Sequence, residues 1–351
     1  MNEGMTSLQR VLTTLGFQEP DRVPLFLLLT MQGAKELGLS IEGYFSRADH
    51  VVEGQLLMLE KYHHDCLYPF FYAGVEPEAW GADIIYSPDG PPNCGPPIIS
   101  TENISTIAPP KAAEATCLQK VFETISRLKA EVADKTPIIG VVMSPFSAPV
   151  MQMGFENYLD LLYEKPDLFD ILMAKNEAFC VEYANTQISA GATAICYFDP
   201  LASPTIIPPE LYEKTGNQVA KRTISQIKGP TATHLASGRT AAVIDLIAGT
   251  GTAVLGFSVD EDPALIKEKS NGRLSLLGNL NGIEMRNWTP EIAERIVKKT
   301  IAAGASGGGF ILSDTHGEIP YQVSEEILLA ISEAVAKWGT YPLDWVTRGV
   351  E

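Results

Sequence analysis

The chain has 351 residues, of which 45% are hydrophobic and 20% are charged, so it is long enough to bury a large core. Its 43 acidic and 26 basic side chains give a formal net charge of −17, which repels phosphate backbones and argues against nucleic-acid binding. No apolar run approaches the roughly 20 residues that span a bilayer, so we expect no membrane segment.

The N-terminal segment, MNEGMTSLQR, lacks the basic start and the apolar stretch of a secretory signal. The five cysteines are widely spaced and form no CxxC pair. Both features predict a reducing, cytoplasmic environment.

Short, continuously apolar runs predict eight buried strands. They lie at residues 23–28, 65–68, 138–143, 194–197, 231–234, 254–257, 274–277 and 309–312. Helical patterns separate the later runs: residues 290–303 have apolar side chains at three- and four-residue steps, between a helix start at Thr289-Pro290 and a stop at Gly304. Apolar strands alternating with amphipathic helices indicate a parallel sheet covered on its outer face. We therefore predict a TIM (β/α)8 barrel, with an open doubly wound sheet as the alternative.

Residues 84–115 interrupt this alternation, because they are too rich in Pro and Gly for a helix or a central strand. We predict an insertion with a small β-hairpin over one face of the barrel, and a plain surface loop is the alternative. No repeat or convincing linker divides the chain. Residues 1–351 are therefore predicted to form a single domain.

Polar residues follow several predicted strands at their carboxyl ends, where the chemistry of such barrels gathers. They are Asp199, His234, Asp260, Glu261, Asp262, Asn279, Ser313, Asp314, His316 and Glu318. Carboxylates and imidazoles on one rim are suited to metal binding or acid–base chemistry. Asp262 and Ser313 are better explained as helix caps.

An aromatic cluster, Tyr68-Pro-Phe-Phe-Tyr72 with Trp80, lies where the second strand meets its loop. Core packing is one interpretation of this cluster. The other is the wall of a pocket for a flat substrate.

Five stretches carry a family pattern in order along nearly the whole chain. They are LQRVL with PDRVP (8–24), VEPEAWGAD (75–83), SPFS with ENYL and a proline (144–166), GA with FDPLAS and LYE (191–213), and His234 with LLGNL, ILS and EIP (234–320). Together they resemble the uroporphyrinogen decarboxylase superfamily, in particular its branch of cobamide-dependent methyltransferases. The resemblance implies a TIM barrel with its site at the strand carboxyl ends.

The decarboxylase activity itself is disfavoured by the first strand end. The decarboxylases have an arginine-rich run there, whereas this chain has LLTMQG at residues 28–33. A substrate with many carboxylates needs such cations.

In the thiol-methylating members of this branch, zinc is held by a His-x-Cys pair and a distant cysteine. This chain keeps His234 but has Ala236 in place of the first cysteine, and the second falls near residues 316–318. The resemblance therefore implies a zinc site with altered ligands. We predict His234, Glu213 and Cys196, and the alternative donors are Asp199, His316 and Glu318. The 20 residues between Glu213 and His234 resemble part of a motif of ether-cleaving members, although Phe198 stands where that motif has another glutamate.

Zinc held by histidine and oxygen donors is a stronger Lewis acid than zinc held by thiolates. We therefore predict a methyltransferase that moves a methyl group from a small methoxylated donor, aromatic or not, to the cob(I)amide of a partner corrinoid protein. The chain has no cobalamin-binding Asp-x-His-x-x-Gly loop of its own. The predicted catalytic residues are Asp199, Glu318 and His316, and the predicted substrate-binding residues are Phe70, Tyr72, Trp80 and Asn279. A homodimer is compatible with this prediction.

Three other readings remain open at this point. In the first, the protein is still a corrinoid methyltransferase, but its methyl donor is a methylamine, a thiol or thioether, or a methylated pterin. In the second, the lost cysteines mark an inactive relative that only binds a corrinoid protein. The third is a decarboxylase or lyase that uses no corrinoid.

Overall fold

A computed structural model describes residues 4–348 and shows a curved parallel sheet surrounded by helices. The described strands, numbered in chain order, are β1 (Leu25–Phe26), β2 (Ile84–Ile85), β3 (Asn93–Cys94), β4 (Ile139–Met143), β5 (Ala194–Phe198), β6 (Thr231–His234), β7 (Val254–Gly256), β8 (Ser275–Leu280) and β9 (Phe310–Asp314). Seven of them form the sheet in the order β1-β9-β8-β7-β6-β5-β4, and every pair in it is parallel.

The segment Asp65–Leu67 joins the two edges of this sheet. The backbone N–H of Asp65 donates to the carbonyl of Leu25 in β1 at 2.7 Å. On the other edge, Leu67 donates to the carbonyl of Pro137 and accepts from the N–H of Ile139, both at 2.9 Å. These bonds close the sheet, so the predicted TIM barrel is confirmed and the open sheet is wrong. The second strand, predicted at 65–68, is reduced to this short bridging segment.

Helices cover the outside of the barrel. The described α-helices are α1 (Ser7–Leu15), α2 (Gln32–Glu36), α3 (Ile41–Phe45), α4 (Ala48–Tyr62), α5 (Val75–Ala79), α6 (Thr116–Val132), α7 (Pro149–Met153), α8 (Phe155–Glu164), α9 (Pro166–Ala190), α10 (Pro209–Lys214), α11 (Gly216–Ile224), α12 (Ile244–Ala248), α13 (Pro263–Ser270), α14 (Pro290–Gly304), α15 (Glu325–Trp338) and α16 (Asp344–Arg348). Short 3₁₀ helices lie at Ala112–Glu114, Pro200–Ala202 and Glu284–Asn287. In the described part of the chain, none of the helices combines the length and the apolar character needed to cross a membrane.

Helix α14 shows how local sequence sets these elements. The Thr289 hydroxyl accepts the backbone N–H of Ile292, and Pro290 occupies the first turn, where no N–H partner is needed. Its apolar side chains face the core. The helix predicted from the spacing at 290–303 is confirmed and ends one residue later, at Gly304.

The core has two layers. An inner cluster contains inward-facing residues of the barrel wall, together with Val11 of α1. Its members are Val11, Phe26, Leu28, Cys66, Tyr68, Val141, Cys196, Val254, Leu277 and Ile311. A larger cluster fills the space between the strands and the helices. The barrel interior is therefore mostly apolar, and polar side chains concentrate at the carboxyl ends of its strands.

A buried ion-pair network supports the closing segment. Asp65 has no exposed surface, and its carboxylate accepts hydrogen bonds from the guanidinium groups of Arg10 and Arg22, each at 2.6 Å. It also accepts the backbone N–H of Leu25 at 2.8 Å and the hydroxyl of Ser7 at 2.9 Å. One carboxylate thus ties α1, β1 and the closing segment together.

The insertion at 84–115 contains the predicted hairpin, because β2 and β3 pair antiparallel. The backbone N–H groups of Ile98 and Ile99 both donate to the carbonyl of Gln152, near the end of α7, at 2.9 Å. The side-chain amide of Gln322, in the loop after β9, donates to the carbonyl of Asp89 at 2.6 Å. The insertion therefore lies over the loops at the carboxyl ends of the strands.

Candidate functional site

Unpaired polar atoms gather at the carboxyl ends of β6, of β9 and of the closing segment. Five buried atoms have no hydrogen-bond partner there: Nε2 of His234, the hydroxyls of Tyr68 and Ser313, Oδ1 of Asp314 and Nδ1 of His316. Buried polar groups are normally paired, so such a cluster marks a place where water or a ligand supplies the partners. We call these five residues, with Glu318, the mouth cluster.

The members of this cluster influence one another electrostatically. Burial raises the pKa of the Tyr68 hydroxyl, and the charges of Cys196, Glu318 and Asp314 raise it further. Burial lowers the pKa of His234 to about 4; the neighbouring His316 adds to the shift, and the backbone of Asp314 opposes it. His234 is therefore a neutral ring at physiological pH.

His234 is held in place from two sides. Its ring stacks on Phe198 of the adjacent strand, with a centroid distance of 4.9 Å and an angle of 13° between the planes. On the other side lies Gly256 of β7, where a Cβ atom would come within 2.4 Å of the histidine Cδ2. Only glycine leaves room for the ring in this position.

A backbone hydrogen bond fixes the tautomer of His234. The N–H of Ala236 donates to Nδ1 at 3.0 Å, so Nδ1 carries no proton. The proton of the neutral ring is therefore on Nε2, the atom without a partner. His234 offers one hydrogen-bond donor to whatever occupies the mouth.

Asp314 has one satisfied and one unsatisfied carboxyl oxygen. Oδ2 accepts the backbone N–H groups of His316 at 2.8 Å and Gly317 at 2.9 Å, whereas Oδ1 has no partner. Burial raises its pKa to about 7, although the two N–H groups oppose the shift. The turn requires glycine at 317, since φ is +84° and a Cβ atom would lie 2.1 Å from Cζ of Phe198.

Glu318, close enough to Asp314 to be affected by its charge, is a second carboxylic acid whose pKa is raised. Its side chain is partly exposed, and it accepts a short hydrogen bond from the Thr30 hydroxyl. Desolvation raises its pKa to about 7, which the Thr30 bond opposes and the charge of Asp314 supports. Burial therefore favours the protonated form of both carboxyl groups more than exposure to water would.

No cation offsets this pair of acids. Among residues 4–348, no Lys or Arg side chain contributes to the pKa shifts of Asp314 or Glu318. At the first strand end, the Gln32 amide donates to the carbonyls of Ile319 at 2.9 Å and Pro320 at 3.0 Å. The mouth is thus poorly suited to a substrate with several carboxylates.

The structure places Asp199, a predicted catalytic residue, in a closed hydroxyl network. Its carboxylate accepts from Ser144 at 2.6 Å, Ser147 at 2.7 Å and Tyr212 at 3.3 Å, and it has no exposed surface. Its backbone N–H donates to the carbonyl of His234 at 2.8 Å. The network ties the ends of β4, β5 and β6 together, which makes Asp199 a positioning residue for His234.

This placement predicts a stability effect. Replacing Asp199 with Asn puts an NH₂ group against hydroxyls that donate to the carboxylate, so at least one hydrogen bond must reverse or be lost, and we expect the free energy of unfolding to fall by about 1–3 kcal/mol. The exposed Asp160→Asn variant is the control and should change it by less than about 0.5 kcal/mol. Urea unfolding measures both. Lost activity at unchanged stability would instead assign Asp199 to catalysis.

The predicted aromatic wall is only partly present. Phe70 packs on Tyr68 at a centroid distance of 5.8 Å, beside the mouth cluster. Tyr72 is buried in the outer layer and donates to Glu78 at 2.6 Å. Trp80 packs there against Phe179 of α9, with a centroid distance of 5.7 Å. The structure therefore brings Phe70 to the mouth but not Tyr72 or Trp80.

Asn279 joins β8 to the loop after β7. Its side-chain amide donates to the carbonyls of Ser258 at 2.8 Å and Glu261 at 2.9 Å. Both donors of the amide are thus used inside the protein. This residue supports the loop after β7.

The three predicted zinc ligands are not brought together. Glu213 is exposed on α10, whereas His234 is fully buried. Cys196 lies in the apolar barrel interior, where burial raises its thiol pKa to about 12. Within residues 4–348, no three His, Cys, Asp or Glu side chains are arranged to hold a metal ion.

The tautomer of His234 also argues against its predicted role as a ligand. A ligating histidine donates the N–H of its other nitrogen to an acceptor. His234 does the reverse, because Nδ1 receives the N–H of Ala236 and Nε2 keeps the proton. The residues present do not fit the predicted zinc site. The mouth cluster can therefore act on a substrate through its hydrogen-bond donors and its carboxylic acids.

Sequence patterns identified the strand-end residues of β9 but gave Asp314 no role. Its signal was the short Asp-Thr-His-Gly run, in which an Asp side chain caps the N–H groups of a turn that ends in glycine. Thr30 carried no such signal, because its contact with Glu318 joins residues at opposite ends of the chain.

Comparisons with known proteins agree with this architecture. The model of a family described as "Uroporphyrinogen decarboxylase (URO-D)" matches residues 6–338. A uroporphyrinogen decarboxylase of Bordetella petrii is 23% identical over 316 residues, which cover 86% of this chain and 85% of that protein. One of Coxiella burnetii is 27% identical over 298 residues, covering 81% of this chain and 80% of that protein.

Solved structures share the fold. A methyltransferase from Methanosarcina mazei superposes with a TM-score of 0.85 at 19% identity, covering 95% of this chain and 99% of its own. A B12-independent methionine synthase from Shewanella sp. W3-18-1 gives a TM-score of 0.54 at 12% identity, with coverage of 90% and 94%. At these identities the superpositions establish the fold.

Proposed function

Because the chain belongs to the uroporphyrinogen decarboxylase family, we propose that it is a methyltransferase built on the barrel of that family. The reaction is transfer of a methyl group from a methoxylated donor, with an aromatic ring as one option, to the cob(I)amide of a partner corrinoid protein. The reduced cobalt of that partner supplies the nucleophile for the methyl carbon.

The observation that carries this proposal is the kind of polar group in the mouth cluster. His234 offers an uncharged N–H and Asp314 an unpaired oxygen, and no Lys or Arg side chain among the described residues shifts the pKa of Asp314. An ether oxygen is a neutral acceptor that becomes negative as its methyl group leaves, and preorganised donors stabilise that charge. A substrate bearing several carboxylates would instead need cations, which supports methyl transfer over porphyrinogen decarboxylation.

The remaining mouth residues orient the donor and exclude water. The rings of Phe198 and Phe70 flank the cluster through His234 and Tyr68, respectively, and provide apolar surface. The Tyr68 hydroxyl lies within electrostatic range of both acids and has no protein partner. We assign it to binding the donor oxygen or a ring substituent.

A donor panel tests the proposal. The purified protein is mixed anaerobically with cob(I)alamin and one donor at a time: a methoxybenzene, an alkyl methyl ether, trimethylamine, a methylthiol or a methylated pterin. The cobalamin spectrum reports methylation, and reactions without protein correct for spontaneous transfer. We expect methylation from the methoxylated donors. Decarboxylation of uroporphyrinogen with no methyl transfer from any donor would refute the proposal.

A further inference from the structure

The hydrogen bonds of Asp314 determine which of its two carboxyl oxygens can carry a proton. Oδ2 faces two backbone N–H groups, so a proton on that oxygen would point at other donors. A protonated Asp314 therefore carries its hydrogen on Oδ1. That oxygen is buried and has no acceptor among the described residues. The O–H bond points into the mouth.

Cleavage of an ether leaves an alkoxide or phenoxide, which departs readily only if its charge is neutralised. The zinc ion predicted for this task does not fit the donors present. The Nε2–H of neutral His234 can stabilise charge by a hydrogen bond, but a neutral imidazole is too weak an acid to give up that proton. One oxygen of Glu318 accepts the Thr30 hydroxyl, and its side chain is partly open to solvent. Asp314 is the acid with a free and directed oxygen.

We propose that Asp314 protonates the leaving oxygen of the methyl donor, in the place that a metal ion would otherwise take. This assignment rests on the proposed function. As the methyl carbon bonds to the partner's cobalt, which supplies both electrons of the new bond, the C–O bond breaks. Its electron pair stays on oxygen and takes the proton from Oδ1. The Asp314 carboxylate that remains is stabilised by the N–H groups of His316 and Gly317.

The test is a leaving-group series measured with the Asp314→Asn variant. Asparagine can keep its oxygen on the two backbone N–H groups, so the turn is preserved while the acid is lost. For alkyl methyl ethers, which leave as strong bases, we expect kcat/KM to fall by about 10²- to 10³-fold. For a nitro-substituted methoxybenzene, whose phenoxide needs no proton, we expect less than a tenfold loss relative to wild type.

Glu318→Gln is the matched control, since it removes the neighbouring acid. Its effect should be the same for every leaving group. A uniform loss for Asp314→Asn, or a leaving-group dependence in Glu318→Gln, would overturn the assignment. So would wild-type activity that is abolished by a chelator and restored by zinc.

The two proposals fail in distinguishable ways. Methyl transfer only from cationic donors, such as trimethylamine in its protonated form or a sulfonium, whose leaving groups are neutral and need no further proton, would refute the role of Asp314 and leave methyl transfer standing. Methyl transfer from no donor at all would refute both.

Discussion

Replacing His234 with Asn is expected to lower kcat/KM for methyl transfer by about 10²- to 10³-fold, because it removes the N–H that meets the developing charge on the donor oxygen. Asparagine can still accept the N–H of Ala236 near the former Nδ1 position, so the turn after β6 should persist. The cob(I)alamin assay with a methoxylated donor measures the loss. Thermal unfolding confirms that the variant is folded.

His234→Gln is the complementary variant. Glutamine places an amide N–H near the former Nε2 position but loses the acceptor for Ala236. We expect a loss of about tenfold, the scale of one neutral hydrogen bond. Equal losses in the two variants would mean that the backbone contact, and not the free N–H, is what activity requires.

Replacing Asp65 with Asn is expected to lower the free energy of unfolding by about 3–5 kcal/mol, since it leaves Arg10 and Arg22 without their shared buried charge. The isosteric side chain preserves volume, so the effect reports the lost charge and not a cavity. Urea denaturation monitored by far-UV circular dichroism measures it.

Asp49→Asn is the control for this measurement. Asp49 pairs with Arg47 at 2.7 Å, but both side chains are well exposed, so its loss should leave the midpoint of urea unfolding nearly unchanged. Similar losses in the two variants would show that burial of the Asp65 network adds nothing to stability.

The fold was largely predictable because its signals are local. Runs of apolar residues, with helical spacing between them, identified the strand positions of the barrel, and Thr289 and Pro290 marked the start of α14. The closing segment is different. Asp65 and Leu67 make few backbone bonds of their own, and the guanidinium groups that hold Asp65 come from residues far earlier in the chain. No local pattern reveals such a contact.

The sequence predicted which strand ends contribute residues to the site, but not how their side chains are arranged. Topology places Asp199 and His234 at the same rim, but the direction of each side chain depends on partners from other elements. Two hydroxyls from the loop after β4 and one from α10 donate to Asp199, whereas His234 keeps a nitrogen without a partner. The spacing of Glu213 and His234 resembled a ligand motif, yet α10 carries Glu213 on its exposed face.

The narrow join between β1 and β4 has a dynamic consequence. Elsewhere the barrel strands share several ladder bonds, but the segment at Asp65–Leu67 is held by only a few, together with one carboxylate. Fewer bonds mean a lower free energy for local unfolding. Amide protons of this segment should therefore exchange with deuterated solvent sooner than those of β5, as hydrogen-exchange mass spectrometry can measure. We therefore expect the barrel to open locally at this join, which lies next to β1, the strand that precedes Thr30.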